Sequence, residues 1–122
     1  NYIDARRSVA AAYDAAFAQL PGVEIPFRAS DSRHVFHQYT LKLTSHSRAA
    51  LQAHLQAAGI PSMIYYPIPA HRQNMFSKFN LGHLHLPLTE ALCEQVISLP
   101  IHTEMDEQQL DYIIQHVLSF FK

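Results

Sequence analysis

An amphipathic pattern near the end of the chain constrains the fold most. From position 110 onwards, apolar residues recur at i, i+3, i+4, i+7, i+8 and i+11, the spacing of one face of an α-helix. Thr103 and Asp106 precede the pattern as N-cap residues, spaced as in a capping box. An apolar helix face has to be buried, and a small sheet is the expected partner. This face consists of Leu110, Ile113, Ile114, Val117, Leu118 and Phe121.

The preceding chain contains three further helical patterns. The spacing of apolar residues predicts helices over 2–20, 47–58 and 89–96. Ser47 is the expected N-cap of the second of these, and Gly59 is its expected stop. The helices therefore alternate with segments of a different character.

Those other segments read as strands and one irregular stretch. Extended patterns are predicted over 34–43, 62–66 and 97–101, whereas 67–88 is irregular with a helical turn around 73–79. In the longest strand, strict alternation puts two sets of residues on opposite faces. One face carries Val35, His37, Tyr39, Leu41 and Leu43, and the other carries His34, Phe36, Gln38, Thr40 and Lys42. We predict an α/β (α+β) fold in which helices pack on one face of a small sheet of a few strands.

Composition removes several classes of function. A net charge of −1 without a basic stripe offers little attraction to nucleic acid. No apolar run approaches the about 20 residues that span a bilayer. Cys93 is the single cysteine, so a disulfide framework is excluded and a reducing, cytoplasmic location is expected. The chain opens on Asn1 in a helical pattern without a convincing start signal, and we expect a cut end there.

The chain has nine histidines, which raises the question of a metal site. His34 and His37 would lie on opposite faces of a strand, while His83 and His85 share a face only if their segment is extended. No carboxylate or cysteine nearby completes a structural set of ligands. We therefore predict no metal site, and keep a zinc-binding domain only as an alternative.

Segment 64–73, IYYPIPAHRQ, combines stiff backbone with polar aromatic side chains. Its two prolines restrict the backbone and remove two hydrogen-bond donors. Polar aromatics on a stiff loop suit recognition of a sugar or nucleotide. A proline-rich connector whose tyrosines cover the sheet edge explains the same composition equally well.

Four stretches, in order, resemble the DegT/StrS-type sugar-nucleotide aminotransferases. Segment 64–73 is similar to the YYPxPLHxQ stretch of that family, with Ala70 where the family often has Leu. The other matches are HVFHQYTL (34–41), the helix–strand unit LQAHLQAAGIPSMIYYP (51–67) and LPLTEALCEQVISLPIHTEMDEQQLDYII (86–114). The opening RRSVAAAYDAAF (6–17) also resembles the end of the family's inter-domain helix.

The resemblance implies the small C-terminal domain of a fold-type I PLP enzyme. Residues 1–20 would end the inter-domain helix and 21–122 would form the small domain, with the large PLP-binding domain absent from this chain. The implied reaction transfers an amino group, commonly from glutamate, to a nucleotide-linked keto-sugar. The family usually forms homodimers with shared active sites, and we expect neither nucleic acid nor membrane as a partner.

The resemblance also assigns site residues. Tyr66, His71 and Gln73 match the family loop and are expected to contact the sugar or phosphate, as are His34 and His37 on the matching strand. For His37, a satisfied histidine on the packed face of the sheet is an equally good interpretation.

No catalytic residue is assigned to this chain. Lys42, Lys78 and Lys122 are its only lysines, and none has a recognisable Schiff-base context. The PLP lysine is therefore expected upstream, and this chain alone is expected to be inactive. A related sugar dehydratase, which replaces that lysine, and a free-standing ligand-binding module remain the alternatives.

Overall fold

A computed structural model describes all of residues 1–122 and contains four α-helices around a three-stranded antiparallel sheet. In chain order, the helices are α1 (Tyr2–Phe17), α2 (Arg48–Ala57), α3 (Pro87–Gln95) and α4 (Glu107–Phe120). The strands are β1 (Val23–Glu24), β2 (Tyr39–Leu43) and β3 (Val96–Leu99), and β2 lies in the centre of the sheet.

One face of the sheet is apolar and forms one side of the hydrophobic core. Tyr39 and Leu41 of β2 pair with Leu99 and Ile97 of β3, so these four side chains share one face. All four are buried, and α1, α2 and α4 contribute the other large members of the core. This arrangement confirms the predicted sheet with helices on one face. The core members from these helices are Val9, Ala10, Tyr13, Phe17, Leu51, Leu55, Ile113 and Val117.

The structure confirms, as α4, the helix that the amphipathic pattern near the end of the chain predicts. Ile113 and Val117 are its buried residues, and Leu110, Ile114 and Leu118 pack against the core from the sides. Asp106 is the N-cap, and its carboxylate accepts a hydrogen bond of 2.7 Å from the backbone N–H of Gln109. A short polar side chain before the apolar pattern therefore starts the helix as expected.

Other helix boundaries differ by a few residues from the predicted ones. Helix α1 ends at Phe17 rather than at 20, and α3 begins at Pro87, where a proline suits the first helical position. Ser47 caps α2 by accepting a hydrogen bond from the N–H of Ala50 at 3.2 Å. Gly59 follows α2 with a φ of +71°, a conformation that favours glycine and ends a helix.

The strand predicted over 34–43 begins only at Tyr39, so that prediction is wrong for its first half. Phe36 has a φ of +49°, which breaks the alternation. Phe36 is consequently buried, while Val35 is 45% exposed and His37 is exposed as well. Val35 and His37 therefore do not share the buried face of Tyr39.

The strand predicted over 62–66 is reduced to a single bridge. Met63 exchanges two backbone hydrogen bonds, of 2.9 and 3.0 Å, with Ser98 at the outer edge of β3. Segment 66–85, which follows the bridge, has no α-helix or β-strand and contains three short 3₁₀ turns. These turns span Ala70–Arg72, Asn74–Phe79 and Leu81–His83, so the helical turn expected around 73–79 is present in 3₁₀ form.

Buried tyrosine hydroxyls join the core to the loops around it. The hydroxyl of Tyr13 donates to the carbonyl oxygen of Pro100 at 2.8 Å, and that of Tyr39 donates to Asp14 Oδ1 at 2.8 Å. Burial raises the pKa of both phenols well above its usual range, and the neighbouring Asp14 carboxylate adds to the increase in the pKa of Tyr39. Asp14 also pairs with Arg28, whose guanidinium lies 4.6 Å from the centre of the Phe36 ring.

Candidate functional site

The face of the sheet opposite the core is polar. Thr40 of β2 and Ser98 of β3 are partners in register, and their hydroxyl oxygens lie 2.7 Å apart in a hydrogen bond. Next along β2, Lys42 pairs with Glu24 of β1 through contacts of 3.1 and 3.2 Å. Because alternate residues of a strand point to opposite faces, the buried Tyr39 and Leu41 leave these polar side chains on the other side.

Two adjoining concavities lie around the start of β2. A cleft of about 170 Å³ has His37, Gln38, Tyr65 and Ser98 among its lining residues. A groove of about 360 Å³ shares His37 and Gln38 and adds His34. The structure thus brings His34 and His37 into one groove, and His37 and Tyr65 both line the cleft.

The two histidines differ in how free they are. The Nδ1 atom of His34 accepts a hydrogen bond of 2.9 Å from the backbone N–H of Phe36, and the backbone oxygen of His34 accepts one from Arg7. His37 is exposed and forms no hydrogen bond within the chain. Its imidazole is therefore available to a ligand, whereas one nitrogen of His34 is already used.

Tyr66 lies at the exposed start of segment 66–85. Its side chain is 74% exposed, its hydroxyl has no partner within the chain, and Pro67 follows it directly. Tyr66 lines neither the cleft nor the groove, although the adjacent Tyr65 lines the cleft. An exposed phenol on a stiff backbone can both stack and form hydrogen bonds with a polar ligand.

His71 and Gln73 are engaged inside the segment. His71 is only 8% exposed, and its Nε2 atom lies 3.1 Å from Oε1 of Glu90. The side-chain amide of Gln73 donates a hydrogen bond of 3.1 Å to the carbonyl oxygen of Ile68. In this structure both side chains shape the segment.

Glu90, on the first turns of α3, is the most heavily hydrogen-bonded acid of the chain. Its Oε1 atom accepts from the backbone N–H of Leu86 at 3.1 Å, from His71 and from Arg72 at 3.0 Å, and its Oε2 atom lies 3.1 Å from Nδ1 of His85. The hydrogen bond from Leu86, followed by those from His71 and Arg72, lowers the pKa of the Glu90 carboxyl to about 2. The carboxylate is therefore charged over the whole physiological range.

Glu90, Tyr65 and the Thr40–Ser98 pair are not among the site residues predicted from the sequence. Glu90 follows Pro87 by three positions, which marks a helix start but says nothing of its partners 18 and 19 residues earlier. Thr40 and Ser98 are 58 residues apart, and only the register of the sheet brings them together.

The lysines of this chain do not suit a PLP Schiff base. Lys42 is paired with Glu24, and the ammonium of Lys78 lies 5.0 Å from the ring of Phe79, on an exposed 3₁₀ turn. Lys122, which follows α4, lines neither the cleft nor the groove. The residues of this chain therefore do not fit a covalently bound PLP, because no lysine amine projects into the cleft or the groove.

Three further observations concern metal ligands, membrane-spanning helices and another groove. No three His, Cys, Asp or Glu side chains are grouped in a way that could hold a metal ion. The structure also has no helix with the length and apolar character that crossing a bilayer requires. A larger groove of about 470 Å³ between the end of α2 and the start of α4 contains none of the predicted site residues.

Curated relatives of this chain include sugar-nucleotide aminotransferases. The UDP-N-acetyl-3-dehydro-alpha-D-glucosamine 3-aminotransferase of Acidithiobacillus ferrooxidans is 40% identical over 109 residues, which is 89% of this chain and 28% of that protein. A pleiotropic regulatory protein of Geobacillus stearothermophilus is 33% identical over 124 positions, covering 100% of this chain and 33% of that protein. The chain thus spans about a third of the length of these relatives.

This chain also matches solved structures and the model of a protein family. Streptomyces venezuelae DesV, in complex with a ketimine intermediate, superposes with a TM-score of 0.91 at 30% identity over 99% of this chain and 32% of that one. A DegT DnrJ EryC1 StrS aminotransferase from Brucella abortus gives a TM-score of 0.84 at 33% identity, over 98% of this chain and 31% of that one. The model of the DegT/DnrJ/EryC1/StrS aminotransferase family matches residues 1–118. Because the fold, the family model and the curated relatives all agree, the chain belongs to the DegT/DnrJ/EryC1/StrS aminotransferase family.

Proposed function

We propose that this chain is the C-terminal small domain of a cytoplasmic, PLP-dependent aminotransferase that transfers an amino group from glutamate to a nucleotide-linked keto-sugar. The observation that carries the proposal is the family match over residues 1–118, together with a relative at 40% identity whose name describes amination of a UDP-linked sugar. The match to about a third of each relative supports a domain of a longer protein.

The division of labour between domains follows from the lysines. Since no lysine lines the cleft or the groove, PLP is held by a large domain outside this chain. PLP supplies the electron sink for amino transfer, and this chain supplies contacts to the substrate. Residues 1–20 end the inter-domain helix, 21–122 form the small domain, and the parent is a homodimer. The chain alone is inactive.

The substrate contacts lie on the polar side of the sheet and on segment 66–85. Tyr66 and His37 are the strongest candidates because both are exposed and neither is engaged within the chain. His34 retains one imidazole nitrogen for a ligand. His71 and Gln73 contribute through the shape of the segment, since their side chains already contact Glu90 and the backbone.

These residues bind and orient the substrate. The phenol of Tyr66 and the imidazole of His37 can donate hydrogen bonds to sugar hydroxyls or phosphate oxygens. Loops on a rigid scaffold are where binding residues concentrate, and here the scaffold is the sheet with α1, α2 and α4 behind it.

The test uses the full-length protein that contains this chain, with glutamate and UDP- or dTDP-linked 3-keto-sugars. Tyr66→Phe removes one hydroxyl, and losing its hydrogen bond costs about 1–3 kcal/mol, or roughly 5- to 150-fold in kcat/KM. Tyr2→Phe is the matched control, because Tyr2 is equally exposed, at 77%, and lies on α1. Melting temperatures should be unchanged in both variants.

The product identifies the reaction. An amino sugar formed with consumption of glutamate supports the aminotransferase, whereas loss of a sugar hydroxyl without amination would indicate a dehydratase. Binding of a nucleotide sugar with no conversion would indicate a ligand-binding module. Equal kcat/KM values for Tyr66→Phe and Tyr2→Phe would remove Tyr66 from the site.

A further inference from the structure

Segment 66–85 is long for a stretch without α-helix or β-strand. Connections of this length in a compact domain are either functional or disordered. Its three 3₁₀ turns are short, and His71 is its only buried residue. Apolar burial therefore does little to hold the segment in place, so polar contacts have to hold it.

All side-chain hydrogen bonds and ion pairs that leave the segment end on one carboxylate. His71 Nε2 and Arg72 Nη2 lie 3.1 and 3.0 Å from Glu90 Oε1, and His85 Nδ1 lies 3.1 Å from Glu90 Oε2. The remaining hydrogen bonds of the segment, such as that between Gln73 and Ile68, are internal. Glu90 is thus the single polar attachment of the segment to the rest of the chain.

The attachment joins the two ends of the segment. His71 and Arg72 lie near its start and His85 lies at its end, so both oxygens of one carboxylate close a loop of the chain. Charge-assisted hydrogen bonds of this kind are stronger than those between neutral groups. Closing the loop reduces the number of conformations that the intervening residues can adopt.

Helix α3, which carries the Glu90 carboxylate, is itself attached to the sheet and to α2. Helix α3 leads directly into β3 at Val96, which is paired with β2. The guanidinium of Arg48 on α2 donates to the carbonyl oxygen of Cys93 on α3, which ties the two helices together. The segment is therefore held against the same framework that carries the cleft.

We propose that Glu90 is a positioning residue, whose carboxylate clamps segment 66–85 to α3 and thereby sets the direction in which Tyr66 is presented to a nucleotide-linked sugar. The substrate part rests on the proposed function. Glu90 itself does not touch substrate in this assignment, because its oxygens are occupied by groups of the chain.

The first experiment follows hydrogen–deuterium exchange of the 122-residue chain by mass spectrometry. Glu90→Gln keeps the size of the side chain but loses its charge and one acceptor oxygen. Exchange in peptides from 66–85 should rise several-fold, while exchange in β2 and α4 stays at the wild-type level. Glu94→Gln is the matched control on the same helix, since Glu94 is exposed and has no hydrogen-bond partner; it should leave exchange unchanged.

Exchange of 66–85 at the wild-type rate in Glu90→Gln would overturn the clamp, as would an equal rise in β2 and α4. If Glu90→Gln does not fold, Arg72→Met decides, because Arg72 has a half-exposed side chain and its replacement leaves α3 intact. A smaller rise confined to 66–85 supports the clamp, and no rise overturns it.

The second experiment measures KM and kcat in the full-length protein. Glu90→Gln should raise KM for the nucleotide sugar more than it lowers kcat, and Glu94→Gln should change neither. A looser segment with an unchanged KM would overturn the positioning role. If the wild-type protein converts no nucleotide sugar, the proposed function fails, and the exchange measurement still decides whether the clamp exists.

Discussion

Two leucines offer a direct test of where the core lies. Leu55, on the inner side of α2, is fully buried in the core, whereas Leu88, at the start of α3, is 72% exposed. Leu55→Ala and Leu88→Ala delete the same atoms from two helices. The difference between the two variants therefore isolates burial from the chemistry of the substitution.

The expected size of the effect follows from burial and chain length. Replacing a buried leucine by alanine costs about 2–5 kcal/mol through lost transfer free energy and the cavity left behind. With an unfolding entropy of about 2.1 cal/mol/K per residue, a chain of 122 residues loses about 4 °C of Tm for each kcal/mol. Leu55→Ala should therefore lower Tm by about 8–20 °C. Leu88→Ala should stay within about 0.5 kcal/mol, or about 2 °C.

Differential scanning calorimetry of the wild type and the two variants in one buffer measures these shifts in Tm. Urea titrations followed by circular dichroism supply the free energies, with the same slope for all three proteins if only the folded state has changed. Equal Tm losses for the two variants, or a larger loss for Leu88→Ala, would refute the assignment of α2 to the core.

Two further predictions concern polar groups. Tyr39→Phe removes the hydrogen bond to Asp14 and should cost about 1.5–3 kcal/mol in urea titrations, because the acceptor is charged. Tyr65→Phe, at a half-exposed residue without a hydrogen-bond partner, is the control, and an equal loss would contradict this role of Tyr39. For Glu90, a folded-state pKa of about 2 against an ordinary 4.5 means that the carboxylate stabilises the fold above pH 4.5. The stability advantage of wild type over Glu90→Gln should shrink as pH falls from 4.5 to 2, and a difference that stays constant across this window would show that the pKa is not depressed.

The sequence was sufficient wherever structure depends on neighbours a few residues away. The pattern leading to Ile113 and Val117 predicted α4, and Ser47 and Gly59 marked the limits of α2. Helix periodicity and capping are local effects, so the order of residues contains the information. The alternation in Tyr39–Leu43 predicted β2 for the same reason.

For the candidate site, the sequence indicated candidate residues but not the state of each side chain. Tyr66 and His37 lie exposed and unengaged, whereas His71 is buried against Glu90. Nothing in the residues around His71 distinguishes a ligand contact from an internal hydrogen bond. The distinction depends on a partner 19 residues away.

Tertiary structure alone decided the pairings across long separations. Phe36 turns inward at a positive φ because the core beside Tyr39 takes its ring and Arg28 covers it, which shortens the strand expected from alternation. Ser98 faces Thr40 only because β3 pairs with β2 in one register. Many registers and partners satisfy the same local pattern, and the choice among them is made when the whole core packs and its buried polar groups find hydrogen bonds.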